Sequence, residues 1–482
     1  MDWGLIALIG LIAIDAAIKI TAIFVVPRNR RPSAAVAWLL LIMFLPYVGL
    51  FFLLLIGSTK LPAKRRRLQA EMNEAIRDAS AGNAFMSNSD NWPEWLHGVA
   101  DMNRNLGALP FTSGNSATLI SGYTESFDAM IAAIDEAQVE VRVEFYIVIR
   151  DAATIPFFDA LARAIERGVR VRLLFDHVAS ARIRGYRETV RWMTAAGVDW
   201  HRMLPVRPWK GQYQRPDLRN HRKLLIVDGT VAFTGSQNII DRGYHRKRYA
   251  RRGLQWVEAM AKFEGPVVSS LNAVFVSDWV AETGQRPRPL PAVPKLQPNG
   301  FDCQVVPSGP GFPNQNNLML FLALLYAANH RVVISSPYFV PDDAMMNAIV
   351  GAVTRGVRVE LFVSEVGDQP MVYHAQRSYY EALLRAGVHI YLYPAPYILH
   401  SKHFSIDDDV AVIGTSNMDM RSFELNLELS VLVRGATFVD RLRQVEAAVR
   451  GASRELSIAE LEHQSAWQTA LDNLARLTSA LQ

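Results

Sequence analysis

The sequence predicts an α/β protein made of two related halves, each a mostly parallel sheet covered by helices, behind an N-terminal hairpin of two transmembrane helices. Two observations lead to this prediction. Two apolar runs open the chain of 482 residues, and after them one order of short strands and helices occurs twice. Half of all residues are hydrophobic and only 20% are charged, which is typical of a membrane segment attached to a large folded part.

The transmembrane hairpin is predicted over residues 1–60. Residues 4–26 are apolar except for Asp15 and Lys19, and residues 34–57 carry no charge, so each run is long enough to cross a bilayer. Asp15 and Lys19 stand four positions apart, so they can neutralise each other on one helix face. A secretory signal peptide would instead begin with basic residues and have a shorter apolar core.

Basic residues follow both apolar runs. Because cytoplasmic segments are enriched in lysine and arginine, we expect the larger cluster to be cytoplasmic. The sequence then predicts a multi-pass protein of the cell membrane whose N-terminus and whose chain after residue 60 both face the cytoplasm. The two clusters are Arg28, Arg30 and Arg31 in the connection, and Lys60, Lys64, Arg65, Arg66 and Arg67 after the second run.

The charge and the cysteine content limit the function classes. A net charge of +5 favours an anionic partner, which charge alone leaves open between nucleic acid and an acidic lipid surface. The single cysteine, Cys303, excludes an intramolecular disulfide and a metal site built from several cysteines. We expect neither a metal nor another cofactor.

An internal repeat follows the apolar segment. We expect a basic and polar linker over residues 61–110, a first half over 111–290, and a second half with C-terminal helices over 291–482. Short β-branched runs alternate with helix-length segments in both halves, which is typical of crossover units on a parallel sheet. The clearest repeated sequences are Arg-Gly-Val-Arg-Val at 167–171 and 355–359, and Ala-Gly-Val at 196–198 and 386–388.

Each half also carries the signature H-x-K-x4-D-x6-G-[ST]-x-N, in which 17 positions separate the histidine from the asparagine. If each residue type fills about one position in twenty, six fixed positions recur by chance roughly once in ten million starts, so the repeat is not accidental. The aspartates precede turns and are expected to brace them. The candidate catalytic residues are His221, Lys223, Asp228, His400, Lys402 and Asp407, and the candidates for phosphate binding or support of the site are Ser236, Asn238, Thr415 and Asn417.

These residue types suit phosphodiester transfer. A histidine two positions before a lysine places both side chains on one face of a strand, so two such pairs can converge where the halves meet. The lysines offer ammonium groups and the asparagines offer amide donors to the phosphate oxygens, so no metal is required. One neutral imidazole can attack phosphorus while the other, protonated, gives its proton to the leaving alkoxide.

Each histidine also needs an acceptor for its second ring nitrogen, as in a catalytic triad. We expect Glu258 to serve His221 and Glu428 to serve His400, because each glutamate follows the histidine of its own half. The interval is longer in the first half because of an insertion over residues 241–253. This insertion holds six lysines and arginines and two tyrosines, and both contact with an anionic head group and simple solvation remain open for it.

The paired signature resembles that of the phospholipase D superfamily, also called the HKD family, over essentially the whole chain. Within it, the N-terminal apolar runs and the segments 38–46, 219–229 and 414–426 resemble bacterial cardiolipin synthases. The resemblance implies a protein of the bacterial inner membrane that has two pseudo-symmetric phospholipase D-like halves. It also implies condensation of two phosphatidylglycerol molecules through a phosphatidyl-histidine, with His221 as nucleophile and His400 as acid and base.

Three alternatives compete with this interpretation. A phospholipase D or another head-group exchanger would use water or a different alcohol as acceptor, a choice that depends on pocket shape and that a motif does not encode. The apolar N-terminus argues against a nuclease, and the chain has no long stretch of interleaved aromatic and basic residues, so we expect no nucleic-acid partner. Two intact signatures argue against a non-enzymatic scaffold.

Overall fold

The computed structural model describes residues 3–28, 30, 32–57, 61–80, 92–210, 212–290, 295–313 and 315–478. The chain forms two compact units, one of residues 1–60 with 215–217 and one of the remaining residues. Arg31, Lys60, residues 81–91 of the expected linker, and residues 291–294 at the expected boundary between the halves lie outside the described residues.

The first apolar run forms helix α1 (Trp3–Val25), in which Asp15 and Lys19 make the expected ion pair at 2.8 Å. With 23 residues, about 34 Å, α1 is the one helix in the described part of the chain that is long and apolar enough to cross a membrane. The second run forms two shorter helices, α2 (Pro32–Phe44) and α3 (Pro46–Ile56). The expected second span therefore is not present as one helix.

Pro46 explains the break between α2 and α3. Proline has no backbone N–H to continue the helix, and it disfavours helical backbone angles in the residue before it. Leu45 accordingly has φ −134° and ψ 70°, and Pro46 occupies the first turn of α3, where a missing N–H costs nothing.

The first half of the larger unit begins with two helices and contains eight strands. Its elements in chain order are α4 (Ala63–Ser80), α5 (Glu94–Gly107), β1 (Phe111–Ile120), α6 (Tyr123–Glu136), β2 (Glu140–Phe145), α7 (Ile155–Glu166), β3 (Arg170–Asp176), α8 (His177–Ala181), α9 (Tyr186–Ala195), β4 (Asp199–Met203), β5 (Lys223–Val227), β6 (Val231–Gly235), α10 (Lys247–Arg251), β7 (Gln255–Val257), β8 (Met260–Glu264) and α11 (Val267–Thr283), within the ranges given above.

The second half repeats this order and adds C-terminal helices. Its described elements are β9 (Phe301–Ser308), α12 (Asn316–Ala327), β10 (Arg331–Ser335), β11 (Phe339–Val340), α13 (Asp343–Thr354), β12 (Arg358–Ser364), α14 (Pro370–Arg377), α15 (Tyr380–Ala386), β13 (His389–Tyr393), β14 (Tyr397–Leu399), β15 (His403–Ile406), β16 (Val410–Gly414), β17 (Met418–Asp419), α16 (Met420–Glu424), β18 (Glu428–Arg434), α17 (Ala436–Ala452), β19 (Arg454–Glu455), α18 (Ile458–Glu462) and α19 (Ala466–Arg476).

The two halves share one continuous sheet. Among the described residues it has 15 strands in the order β19-β13-β12-β10-β15-β16-β18-β9-β1-β8-β6-β5-β2-β3-β4. Outward from the central antiparallel pair β1–β9, the two halves present equivalent strands in the same sequence. Equivalent strands of the two halves therefore occupy equivalent places in the sheet.

The sheet is mixed, which corrects the expectation of mostly parallel sheets. Only the β2–β3–β4 and β10–β12–β13 segments are parallel, and the neighbouring pairs toward the centre are antiparallel. The cause lies in the signature itself. Its aspartate begins a tight turn between β5 and β6, and between β15 and β16, and strands joined by so short a turn run antiparallel.

Helices cover the sheet on both faces. Along β10, Val332 and Ile334 belong to the apolar core formed with α12 and α13, whereas Val333 between them packs in a separate cluster near Val449 of α17. Alternate residues of a strand point to opposite faces, so β10 is buried from both sides. Such burial explains the continuous apolar run over residues 332–334 of β10.

Candidate active site

The two signature histidines stand shortly before the inner strands β5 and β15, and the backbone of each is hydrogen-bonded to the other half. The backbone N–H of His221 donates to the carbonyl of Leu427 at 2.8 Å, just before β18. The backbone N–H of His400 donates to the carbonyl of Val257 at 2.7 Å, at the end of β7. These reciprocal contacts bring the two signatures to one place, the seam between the halves.

The glutamates pair with the histidines across this seam. Nδ1 of His221 lies 2.9 Å from both carboxylate oxygens of Glu428, and Nδ1 of His400 lies 2.7 Å from Oε2 of Glu258. The structure thus places both expected glutamates at ring nitrogens but reverses the expected pairing within each half. The reason is topological, because β7 lies beside β14 and the start of β18 lies beside the residues that precede β5.

The signature hydroxyls hold these glutamates in place. Oγ of Ser236 donates to Oε2 of Glu258 at 2.6 Å, and Oγ1 of Thr415 donates to Oε2 of Glu428 at 2.6 Å. Ser422 adds a second hydroxyl to Glu428 at 2.9 Å. Each half therefore orients its own glutamate, which in turn orients the histidine of the other half.

The signature glycines allow this close packing. A Cβ atom on Gly235 would lie 2.3 Å from the carbonyl oxygen of Ala259, and one on Gly414 would lie 2.2 Å from that of Leu429. Both distances are far below van der Waals contact, and the obstructing atoms are backbone. Glycine is thus required where the hydroxyl-bearing residue must approach the strand that carries the glutamate.

The two lysines are buried beside the histidines. Nζ of Lys223 donates to the carbonyl of His221 at 2.7 Å, and Nζ of Lys402 donates to that of His400 at 2.9 Å. Burial, together with the charge of Lys402, lowers the pKa of Lys223 to about 7. Burial also lowers the pKa of Lys402 to about 8, although Glu258 and Glu428 oppose this change. An anion that enters the site would restore both ammonium groups.

Both imidazoles are neutral near pH 7. Burial lowers the pKa of His221 to about 4 against the opposing charge of Glu428, and it lowers the pKa of His400 to about 4 against Glu258. The charge of the other half's lysine also lowers each pKa, in keeping with the place of both pairs at one seam. A neutral ring that donates Nδ1–H to a carboxylate leaves its Nε2 lone pair available as a nucleophile or base.

The two glutamates stay ionised in this buried setting. Burial by itself raises the pKa of Glu428, but His221, Lys223 and Thr415 outweigh burial and hold the pKa below its ordinary value. For Glu258 the same balance of burial against His400 and Lys402 also lowers the pKa. The carboxylates can therefore stabilise an imidazolium when one forms.

The signature asparagines differ between the halves. Asn238 accepts from the backbone N–H of Ile147 at 3.2 Å and donates to the hydroxyl of Tyr244 at 2.8 Å. Among the described residues, buried Oδ1 of Asn417 has no hydrogen-bond partner. The structure thus ties the side chain of Asn238 to other protein groups, whereas Oδ1 of Asn417 is unpaired among the described residues.

Asp228 and Asp407 lie away from the imidazoles, at the far ends of β5 and β15. Asp228 accepts from the backbone N–H groups of residues 138–140, and Asp407 accepts from those of residues 329–331, all at 2.8–3.3 Å. Both have positive φ, 52° and 46°. Through these hydrogen bonds both aspartates brace turns at the strand ends away from the histidines.

Tyr146 and Tyr244 contribute to the site without any sequence signal. The ring of Tyr146 meets His221 edge to face, with centroids 4.8 Å apart, and Nζ of Lys223 lies 5.4 Å from the centre of that ring. Tyr244 donates to Oε1 of Glu258 at 3.3 Å and so links it to Asn238. Neither tyrosine belongs to the repeated signature, so spacing alone does not point to it.

The basic insertion that carries Tyr244 docks on the second half. Arg248 donates to the backbone carbonyl of Asp368, and the hydroxyl of Tyr249 lies 3.4 Å from the carboxylate of Asp368. Arg252 donates to the carbonyl of Gly367 at 2.8 Å. Part of the insertion is therefore structural. Arg246, Lys247 and Arg251 remain exposed.

Comparison with known proteins identifies matching families over most of the chain. The family model described as cardiolipin synthase, PLD-like domain, matches residues 130–279 and 321–447. A second model, phospholipase D-nuclease N-terminal, matches residues 17–58, which include α2, α3 and the C-terminal part of α1.

Individual relatives match nearly end to end. Cardiolipin synthase A of Pectobacterium carotovorum subsp. carotovorum (strain PC1) is 31% identical over 464 residues, and that of Erwinia tasmaniensis is 32% identical over 466 residues. Each alignment covers 94% of both chains. Among solved structures, the phosphatidylserine synthase of Haemophilus influenzae Rd KW20 superposes with a TM-score of 0.59 at 15% identity, over 79% of this chain and 97% of that one. At that identity the likeness concerns the fold alone.

Proposed function

The chain belongs to the cardiolipin synthases of the phospholipase D superfamily, and on that premise we propose that His221 and His400 transfer a phosphatidyl group between two phosphatidylglycerol molecules. It is a membrane-associated phosphatidyltransferase that acts on phospholipid. The observation that carries the proposal is the crossed pair of hydrogen bonds, His221 with Glu428 and His400 with Glu258, at one buried seam.

In the first half-reaction, Nε2 of His221 attacks the phosphorus of one phosphatidylglycerol. A P–N bond forms as the P–O bond to glycerol breaks, and the imidazolium of His400 gives its proton to the departing alkoxide. Because the free imidazoles are neutral, the entering phosphodiester anion must raise the pKa of His400 for this step. Glu258 stabilises that imidazolium.

In the second half-reaction, neutral His400 takes a proton from a glycerol hydroxyl of a second phosphatidylglycerol. The oxygen attacks phosphorus, the P–N bond breaks, and cardiolipin leaves while His221 is regenerated. Through both steps Lys223, Lys402 and Asn417 face the non-bridging oxygens, which carry the growing charge of the transition state. Asn238 supports Tyr244 and Glu258 instead.

Burial supports transfer to an alcohol over hydrolysis. His221 is 8% exposed and His400 is 5% exposed, and both lysines are buried, so little water reaches the phosphorus. We further propose that the active site faces the cytoplasm, because the basic cluster after residue 60 precedes it. Phosphatidylglycerol in that leaflet supplies both substrates, and no nucleic acid takes part.

Product analysis tests the proposal. Purified full-length enzyme in mixed micelles with phosphatidylglycerol alone should yield cardiolipin and glycerol in equal amounts. The matched control is the His221→Ala protein, which should yield neither. Phosphatidic acid as the main product would assign the chain to hydrolysis instead, and a different phosphatidyl alcohol formed preferentially from an added alcohol would assign it to general head-group exchange.

A further inference from the structure

The second apolar run folds back on itself. Arg30, just before α2, donates to the carbonyl of Gly57, just after α3, at 2.9 Å. Near the turn, a Cβ atom on Gly49 would lie 2.8 Å from Cα of Ile42. In one straight helix these two residues would be about 10 Å apart. Helices α2 and α3 therefore form a tight antiparallel hairpin whose two open ends meet at Arg30.

Contacts with α1 fix the depth of this hairpin. At its open end, Arg30 donates to the carbonyl of Val26 at 2.7 Å, at the C-terminal end of α1. At its turn, the hydroxyl of Tyr47 lies 3.4 Å from the carbonyl of Leu11. Leu11 is about 21 Å along the helix axis from Val25 and about 12 Å from Trp3. The turn thus stops well short of the N-terminal end of α1.

The hairpin has the surface of a lipid-embedded element. Its two helices carry no charged side chain, and its turn and outer faces expose Phe44 at 79%, Phe51 at 60% and Leu54 at 78%. Exposed apolar side chains of this size need an apolar surrounding. The described residues from 26 to 56 include two cations, Arg28 and Arg30. Both precede α2, and Arg30 lies at the open end of the hairpin, where an aqueous interface would meet it.

Helix length argues in the same direction. The 13 residues of α2 and the 11 of α3 reach about 20 Å and 16 Å, whereas a bilayer core is about 30 Å thick. Apolar segments of about 10–14 residues are typical of re-entrant elements, and those of about 20 are typical of spans. Neither helix can cross alone, and Pro46 keeps them from joining.

We propose that α1 is the only span among the described residues and that α2–α3 is a re-entrant hairpin, inserted into the bilayer from the side on which α1 ends. Both basic clusters then lie on one side of the membrane, and the N-terminal end of α1 lies on the other. Eight lysines and arginines between residues 28 and 67 fall on the same side, which makes that side cytoplasmic. This arrangement differs from the expected one, in which two helices span the membrane and the N-terminus is cytoplasmic.

Single-cysteine labelling separates the two arrangements. In a Cys303→Ala background, Trp3→Cys, Pro27→Cys and Pro62→Cys would be expressed as full-length proteins and treated with a membrane-impermeant maleimide, in intact spheroplasts and after permeabilisation. Each variant must still form cardiolipin, which shows that it is folded and inserted. Permeabilised samples show that each cysteine can react.

We expect intact spheroplasts to label Trp3→Cys and to protect both Pro27→Cys and Pro62→Cys. The decisive comparison is between the two former prolines, which flank the hairpin. Labelling of Pro27→Cys with protection of Trp3→Cys and Pro62→Cys would show that the second run crosses the membrane and would overturn the proposal. This outcome would leave the catalytic mechanism untouched, because the readout does not depend on the chemistry of the site.

Discussion

At the scale of single residues, the proposed chemistry depends on which carboxylate accepts a hydrogen bond from which imidazole. Each histidine donates from Nδ1 to a buried, ionised glutamate, and the partner comes from the other half of the chain. Ser236 and Thr415 then explain why the signature has a hydroxyl after its glycine, since each anchors the glutamate that crosses the seam. The residue types were readable from the sequence, but the crossing was not, because it follows from strand order.

The crossed pairing predicts how glutamate variants group with histidine variants. With phosphatidyl-p-nitrophenol, whose leaving group needs no proton, His400→Asn should keep the first burst of p-nitrophenolate, and His221→Asn should lose it. Glu258→Gln should resemble His400→Asn, because it removes the carboxylate that stabilises protonated His400, the general acid. With phosphatidylglycerol as substrate, the Glu258→Gln enzyme should turn over about 10²–10⁴-fold more slowly than wild type.

Glu428→Gln should instead resemble His221→Asn, with the burst slowed by a similar factor. The matched pair of glutamine variants preserves side-chain size in both cases. If Glu258→Gln lost the burst while Glu428→Gln kept it, each glutamate would serve the histidine of its own half, and the geometry described above would be wrong in solution.

The lowered pKa values of the two lysines predict a loss of activity at alkaline pH. Lys223 with a pKa of about 7 and Lys402 with a pKa of about 8 are charged below those values and neutral above them. The first step also needs a proton on His400, whose pKa of about 4 already makes kcat/KM fall with rising pH. Because kcat/KM reports the free enzyme, this fall should become steeper through the range in which the lysines lose their charge. The measurement is a pH profile at constant lipid composition and ionic strength. A profile that stays flat to pH 9 would contradict this account.

At the scale of secondary-structure elements, the signature forms a β-hairpin whose two ends have different roles. Its histidine and lysine face the seam, and its aspartate closes the turn at the opposite end of the strand. The sequence predicts this division, because the aspartate precedes a glycine-containing or aspartate-rich turn. It also contained a signal for the break in the second apolar run, since Pro46 interrupts an otherwise continuous pattern.

The turn role predicts a stability defect without a catalytic one. Asp407→Ala should lower the free energy of unfolding by about 1–3 kcal/mol, because three backbone N–H groups lose a charged acceptor. Asp407→Asn should be milder, since asparagine tolerates the positive φ of this position. Thermal unfolding in detergent measures the change, and exposed Asp408 gives the control, Asp408→Ala.

The turnover number of correctly folded Asp407→Ala should stay within about threefold of wild type, because a lost structural hydrogen bond far from phosphorus leaves the barrier unchanged. A loss of about 10³-fold in turnover with unchanged thermal stability would place Asp407 in the catalytic machinery instead.

At the scale of the whole molecule, the proposed active site forms where two related halves share one sheet. The repeat, the two halves and the convergence of two signatures were predictable, since identical spacing implies identical local folds. Three features were not. The central β1–β9 pair that joins the two halves of the sheet, the crossed histidine–glutamate pairs, and the contacts of Tyr146 and Tyr244 all depend on long-range packing that residue spacing does not encode.

The most direct test of this account is to locate the covalent intermediate. The His400→Asn enzyme, reacted with phosphatidyl-p-nitrophenol and digested, should accumulate a phosphatidyl group on His221, because the attacking ring is intact and the base needed for the second step is missing. The His221→Asn enzyme should accumulate none. A phosphatidyl adduct in the His221→Asn enzyme, on His400 or on any other residue, would contradict the assignment of His221 as the nucleophile.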